Sequence, residues 1–322
     1  MTYSDIAINV LTCLTYKGIG KAWVVKNLKQ PIPVEMIVSL LDSSIKSTDI
    51  TQNEFEARKR EIIRQIEQHA SSIDGVVALG DVDFPQHRGD VKNSLQPVAL
   101  FYKGDIRLLQ TETPNIAVIG VLQPDATTVT QERKLVDSLV AKGATIVSGL
   151  AIGCDGVAHE QALQSHGKTV AILPSPLHNI LPKINQTLAN DIVLHEGLLV
   201  SEYLNDARSK MAFTARYQER DRLQALFSDA IVLASSYSKN DLGNDSGARL
   251  AMEYARQFNI PRAVMYDSLQ NQHNPKFDLN RQLISEQPNI TILNKQNYHD
   301  ATDYLVSLSS QTLQDDAQEE LF

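Results

Sequence analysis

From about residue 74 the chain alternates short apolar runs with stretches of helical period, and no other feature narrows the fold as much. The runs are VVAL, VALFY, NIAVIG, TIVSG, TVAIL, LLVSEY, AIVLAS, RAVMY and ITIL. Segments such as TVTQERKLVDSLVAKG, KINQTLANDIVLHEG and GARLAMEYARQFN separate most of them. A strand with one wet face alternates apolar and polar residues. Continuous Val/Ile/Leu runs need cover on both faces, which helices between consecutive strands supply. The expectation is an α/β fold: a Rossmann-like, doubly wound, mainly parallel sheet over residues 71–310. Ligands of such sheets lie beyond the C-terminal ends of the strands.

Residues 1–70 read differently, as a small helical N-terminal domain. SDIAINVLTCL has helical apolar spacing with Ser4-Asp5 as an N-cap, and QNEFEARKREIIRQIEQHA carries an apolar stripe at Phe55, Ile62, Ile63 and Ile66. LLDSSIKSTDITQ reads as the loop before it. Gly18-Ile19-Gly20, flanked by Lys17 and Lys21, fits a helix-hairpin-helix or SAM-like unit whose amides face a phosphate, or a plain helical turn. At the other end, residues 311–322 are acidic and polar and are expected to be disordered.

A chain of 322 residues with 43% hydrophobic content can bury a full core. Its formal charge of −8 argues against a surface coated in nucleic acid but leaves room for a local basic patch. Cys13 and Cys154 match no metal spacing and are expected to be reduced thiols of a cytoplasmic protein. No leader segment and no membrane span is expected.

Residues 145–163, TIVSGLAIGCDGVAHEQAL, pass from a strand through two glycines into a helix. Gly149 and Gly153 clear the backbone, Ser148 adds a hydroxyl, and the helix start near Asp155 offers N–H groups and a positive dipole end. This suits an anion, phosphate above all, although close helix–strand packing would use the same glycines. It is neither the G-x-G-x-x-G fingerprint nor a Walker loop. Asp155 and His159 share a helix face. With no third ligand at a suitable spacing, a capping role for Asp155 is expected and no metal or other cofactor.

Two further stretches carry charge or glycine. RSKMAFTARYQERDR holds Arg208, Lys210, Arg216, Arg220 and Arg222, diluted by Asp206, Glu219 and Asp221. Arg216 and Arg220 share a helix face and Arg222 points elsewhere; Phe213 and Tyr217 offer ring faces to a base, or to the core. NDSGARLAMEYA is a second loop entering a helix, where Ser246 and Gly247 present N–H donors, with Arg249 nearby.

The 145–163 segment resembles the signature of the DNA-processing protein A family (DprA, also called Smf), and the likeness runs in order through nearly all of residues 1–310. VVALGDVDFPQHRGDVKNSLQPVALFYKGDIRLL is similar to the family's lead-in, LPKINQTLANDIVLHEGLLVSEY to its stretch ending G-L-L-L-S-E-Y, and RDRLQALFSDAIVLAS to its segment opening R-N-R. DSGARLAMEYARQFNIPRAVMY and DLNRQLISEQPNITIL follow in register. The chain departs where the family has Gly-Ser-Arg after the first core strand: Gly120 is followed by Val121-Leu122-Gln123. Gly-Ile-Asp is Gly153-Cys154-Asp155, and Leu173-Pro174-Ser175-Pro176 loses a glycine.

The resemblance implies a non-catalytic protein that binds single-stranded DNA and helps load the RecA recombinase, in recombination and natural transformation, as a homodimer. It places Gly120 and the Arg220-Asp221-Arg222 motif in the strand pocket, with Arg222 alternatively paired to Asp155 or Asp229. A rival reading is a sensor or hydrolase of a small nucleotide in the same pocket, in a phage-defence setting, with Glu253 near the register of a catalytic acid. Finally, Gln318, Leu321 and Phe322 resemble the short peptide by which repair proteins hold the DNA sliding clamp.

Overall fold

The structure is a computed structural model that describes residues 1–45, 50–240, 247–287 and 290–319, with side chains described as far as residue 309. The first elements are β1 (Thr2–Tyr3), α1 (Asp5–Cys13), α2 (Lys21–Asn27), α3 (Val34–Ser44) and α4 (Gln52–Gln68). Then come β2 (Gly75–Ala78), β3 (Ala99–Gly104), β4 (Asn115–Ile119), α5 (Ala126–Ala141), β5 (Thr145–Ser148) and α6 (Cys154–Gln164). The chain continues through β6 (Thr169–Ile172), α7 (Gln186–Leu194), β7 (Leu198–Ser201), α8 (Lys210–Leu226), β8 (Ala230–Leu233) and α9 (Ala248–Gln257). It ends with β9 (Arg262–Met265), α10 (Ser268–Asn271), α11 (Asp278–Glu286), β10 (Thr291–Leu293) and α12 (Tyr298–Glu319).

Helix starts follow the sequence. Ser4 accepts from the Ala7 amide at 2.9 Å, Thr51 from Glu54 and Asp125 from Thr128, each satisfying an N–H that the first turn leaves open. α3 takes in Leu40–Ser44, part of the stretch read as a loop. α12 runs to Glu319, so helical backbone enters the segment expected to be disordered; Gln, Leu, Ala and Glu all favour it.

The strands form one ten-stranded sheet in the order β1-β2-β3-β7-β6-β5-β4-β8-β9-β10. From β7 to β10 all neighbours are parallel; β3 is antiparallel to both β2 and β7. β4 through β8 are buried at every position, as continuous apolar runs require. The fold is therefore the mainly parallel, doubly wound α/β sheet that the strand pattern implies. Strand order reverses between β4 and β8, paired from Ile116–Ala230 to Ile119–Leu233. From β4 the chain winds outward through β5, β6 and β7, then crosses back to β8. The loops at the C-terminal ends of β4 and β8 diverge there and leave a crevice.

The N-terminal helices are not insulated from this sheet. β1 pairs with β2, and one apolar cluster joins Ile8, Leu41, Phe55 and Ile66 to Phe101, Ala171 and Leu199. Burying each such side chain contributes about 1.5–3 kcal/mol, so the proposed division near residue 70 crosses a continuous core. At the opposite edge of the crevice strands, Arg88 donates to Asp229 (3.2 Å) and to the carbonyls of Leu109 and Gln110, while Asp229 accepts the Asn115 amide. This network pins the long loop after β2 under the start of β4 and β8.

Candidate functional site

The crevice between β4 and β8 is a cleft of about 260 Å³, lined among others by Gly120, Leu122, Asp155, Tyr217, Arg220 and Gly247. Its centre is Arg220, 5% exposed. The guanidinium Nη1 lies 3.5 Å from Asp155 Oδ2, and Nε lies 3.3 Å from Asp221 Oδ1. Those approaches are charge contacts without hydrogen-bond alignment: Arg220 Nε and Nη1 are buried with no hydrogen-bond partner, as is Gln224 Nε2 one turn along α8. Buried donors left open in a cleft mark where a ligand acceptor fits.

Glycine makes the arrangement of Arg220 feasible. A Cβ on Gly149 would stand 1.2 Å from Arg220 Nη1, so the guanidinium rests directly on that backbone. Gly153 has φ +82°, and a Cβ there would meet the Val121 carbonyl oxygen at 2.3 Å. What comes close to these two glycines is thus another part of the protein. The remaining members of the expected anion cradle are turned inward as well. Ser148 is buried and donates to the Val118 carbonyl at 2.7 Å. The Gly149 and Ala151 amides donate to Asp155 Oδ2 at 3.1 and 3.4 Å. The Ser148 hydroxyl and the Gly149 amide are thus used within the protein; Gly149 is the wall against which Arg220 lies, and Gly153 packs on Val121 and Leu122. Asp155 does not cap its own helix, whose N-cap is Gly153, but ties the preceding loop to it.

The basic residues of α8 separate into three roles. Arg220 faces the cleft. Arg222, placed in the strand pocket by the resemblance, is 2% exposed and gives a fork of bonds to Glu202 at 2.8 and 3.0 Å, with Lys21 on the same carboxylate at 3.0 Å. Neither Asp155 nor Asp229 is its partner. Residues two positions apart on a helix are turned some 200° from each other, so with Arg220 on the cleft Arg222 faces away from it. Arg216 is half-buried, 4.0 Å above the Tyr203 ring, and donates to the Asn205 carbonyl; Lys210 and Arg208 are exposed. Phe213 and Tyr217 meet edge to face at 5.1 Å, and Tyr217 lines the cleft.

Gly120 lines the cleft, and a Cβ there would meet Cys154 Sγ at 2.5 Å. Gly247 is exposed beside Asp221, and Ser246 lies outside the described residues. Glu253 is exposed, paired with Arg256 and not among the residues lining the cleft. His159 is buried and bonded through Nδ1 to Thr169. Burial, aided by Arg220, pushes its pKa down to about 3. Among the described residues the grouping able to hold a metal is His299, Asp300 and Asp303, exposed on α12. No helix among them is long and apolar enough to cross a membrane.

Burial raises the acids around Arg220. Asp155 is pushed up by burial, opposed by Arg220 and the loop amides. Asp221 is pushed up to about 7 by burial, opposed by Arg220 and reinforced by Asp155. Behind them Glu132 is buried with both oxygens lacking a hydrogen-bond partner, and burial holds its carboxyl well above the usual range. In the sequence Asp221 counts only as diluting the basic cluster, and Gln224 and Glu202 carry no site signal of their own. Gln224 was within reach, standing i+4 from Arg220. Nothing local marks Glu202.

A larger hollow, about 730 Å³, lies under the loop after β2 and is lined in part by Lys29, His87 and Arg88. The Arg88 guanidinium there is already held by Asp229 and two carbonyls, which leaves His87 Nδ1 as a buried polar atom without a partner in its lining.

Residues 75–300 match the family model described as DNA recombination-mediator protein A. Protein Smf of Synechocystis sp. is 29% identical over 258 residues, which is 76% of this chain and 60% of that protein. DNA processing protein DprA of Streptococcus pneumoniae is 32% identical over 170 residues, 52% of this chain and 57% of that one. The chain thus matches only about half the length of such curated relatives. Among solved structures, that of Streptococcus pneumoniae DprA superposes with a TM-score of 0.68 at 22% identity, covering 92% of this chain and 97% of the other, a likeness of fold. DNA processing protein A from Helicobacter pylori, described for its single-stranded DNA binding mode, gives 0.52 at 27% identity, covering 68% and 96%.

Proposed function

This chain belongs to the DNA recombination-mediator protein A family, and on that premise we propose that it binds single-stranded DNA at the β4–β8 cleft, without making or breaking a bond. The observation that carries the reading is Arg220: a buried guanidinium at the topological switch point whose Nε and Nη1, like Nε2 of Gln224, have no hydrogen-bond partner, both residues lining the cleft. Arg216 and Lys210 extend positive charge along α8 from the cleft, Tyr217 supplies a ring, and Gly120 and the exposed Gly247 line the cleft. A cytoplasmic role in recombination and natural transformation follows from that activity, with RecA as the recombinase loaded onto the bound strand. A homodimer and a clamp contact through Gln318, Leu321 and Phe322 are part of the same proposal; the last two lie outside the described residues.

The rival is a small-nucleotide receptor. It is favoured by the modest cleft volume, about 260 Å³, and by the acids beside Arg220. Titrating labelled oligo-dT, duplex DNA and free nucleotides across a salt series separates the two. Phosphate contacts by Arg220, Arg216 and Lys210 give a log–log salt slope of roughly −2, at about −0.7 per contact on a single strand. Arg216→Ala should leave the fold intact and make that slope shallower by about 0.7. A slope near zero, equal affinity for duplex, or tighter binding of a mononucleotide would defeat the strand reading.

A further inference from the structure

Arg220 sits between two carboxylates, and that is an awkward setting for a residue that meets an anion. Asp155 Oδ2 and Asp221 Oδ1 lie 3.5 and 3.3 Å from the guanidinium, all three side chains are at most 9% exposed, and all line the cleft. With both acids ionised, one cation faces two anions, and a phosphodiester approaching Arg220 meets net negative charge in a poorly screened site. Loss of charge from one acid would remove that opposition.

The two acids are not equivalent. Asp155 accepts the Gly149 and Ala151 amides, which favour its charged form. Asp221 accepts no such pair of amides among the described residues and lies against Gly247, where a Cβ would be 2.8 Å from Oδ2. Among the described residues, the charged and titratable groups facing Asp221 are Arg220 and Tyr217 on α8, Asp155 on α6 and Tyr254 on α9. Arg249, two residues beyond Gly247, has a contact of its own. Glu132 lies farther back, against Asp155 and Cys154. One cation does not balance this acidic surround.

We infer that Asp221 is a proton-linked determinant of ligand choice: an anionic strand enters the cleft together with one proton, which Asp221 takes up. This rests on the strand reading of the cleft given above. The proton goes to a carboxylate oxygen of Asp221, no covalent bond to the strand forms, and Arg220 is left free to turn its donors from the acid to the phosphate. The position of Asp221's own titration, pushed up to about 7 by burial and by Asp155 against the pull of Arg220, puts this exchange in the neutral range. The sign follows. Below that point the acid is already protonated in the free protein and binding takes up no proton. Above it, each rise of one pH unit weakens binding by about tenfold, the limit for one linked proton.

The test uses the full chain and a fluorescein-labelled oligo-dT at fixed ionic strength from pH 5.5 to 8.5. Affinity of the unaltered protein should be level at the acid end and fall toward about tenfold per pH unit at the alkaline end. Asp221→Asn, which keeps the shape and removes the charge, should give a flat profile and bind at least about tenfold tighter at pH 8.5. Should that variant fail to fold, calorimetry of the unaltered protein at pH 8 in phosphate and in Tris reads the proton directly: for one proton taken up, the two binding enthalpies should differ by the difference between the ionisation enthalpies of the two buffers. Absence of binding at every pH would overturn the strand reading and this inference with it. Binding that is level with pH and takes up no proton would overturn the inference alone. A pH dependence that persists in Asp221→Asn would likewise remove Asp221 from the role.

Discussion

Arg220 and Arg222 are the same residue type two positions apart and do opposite work. The first lines a cleft with donors that have no hydrogen-bond partner; the second is closed on Glu202. Removing one partner of a buried pair costs about 3–5 kcal/mol when the other charge is left alone, and with Lys21 remaining on Glu202 the low end of that range applies. Arg222→Ala is therefore expected to lower unfolding free energy by about that much in urea titrations, and any loss of DNA binding should track the unfolded fraction. Stability within about 0.5 kcal/mol of the parent, with binding lost, would return Arg222 to the interface. In the sequence, the spacing of these arginines says that they face apart, and it says nothing about which of them faces in. That choice is made by Glu202, distant in sequence and brought to α8 by the end of β7. The glycines at 149 and 153 were legible as sites of close approach, but the approaching group is a side chain from α8, which no local pattern names.

At the scale of elements, α8 is two helices in one. From Arg220 to Leu226 it is buried, whereas from Lys210 to Glu219 each residue is exposed or half-buried, with Met211 82% exposed. The outer half leans on its cap: Ser209 accepts the Ala212 amide at 3.1 Å. Ser209→Ala should cost about 1 kcal/mol, confined to the first turns. Hydrogen exchange should quicken around Ala212–Arg216 and stay unchanged at Leu223–Leu226; uniform acceleration along α8 would mean that the helix is a single cooperative unit. The apolar strands were readable because a strand buried on both faces has to be apolar throughout. β1 was not, since a two-residue strand is too short to carry a period. Nor does any pattern within VVAL or VALFY say that β3 runs against its neighbours.

For the whole molecule, the helical N-terminal region is joined to the sheet by a shared core and by a buried charged chain from Lys21 through Glu202 to Arg222. Separate stabilities for the two parts are not expected. Trp23, the one tryptophan, lies on α2 and reports on the helical end, while far-UV circular dichroism reports mostly on the rest. The two denaturation curves should superimpose. An earlier Trp23 transition would show that residues 1–70 unfold alone, as the sequence pattern of a distinct domain suggests. The contact between Gly149 and Arg220 also has a bearing on ancestry. Because the guanidinium occupies the space in which any other residue's side chain would begin, a change at position 149 removes the site as surely as a change at position 220. Descendants of this chain would inherit the two positions as a single character, either both kept or both released, and a lineage that has lost the glycine can be recognised as having lost this use of the cleft.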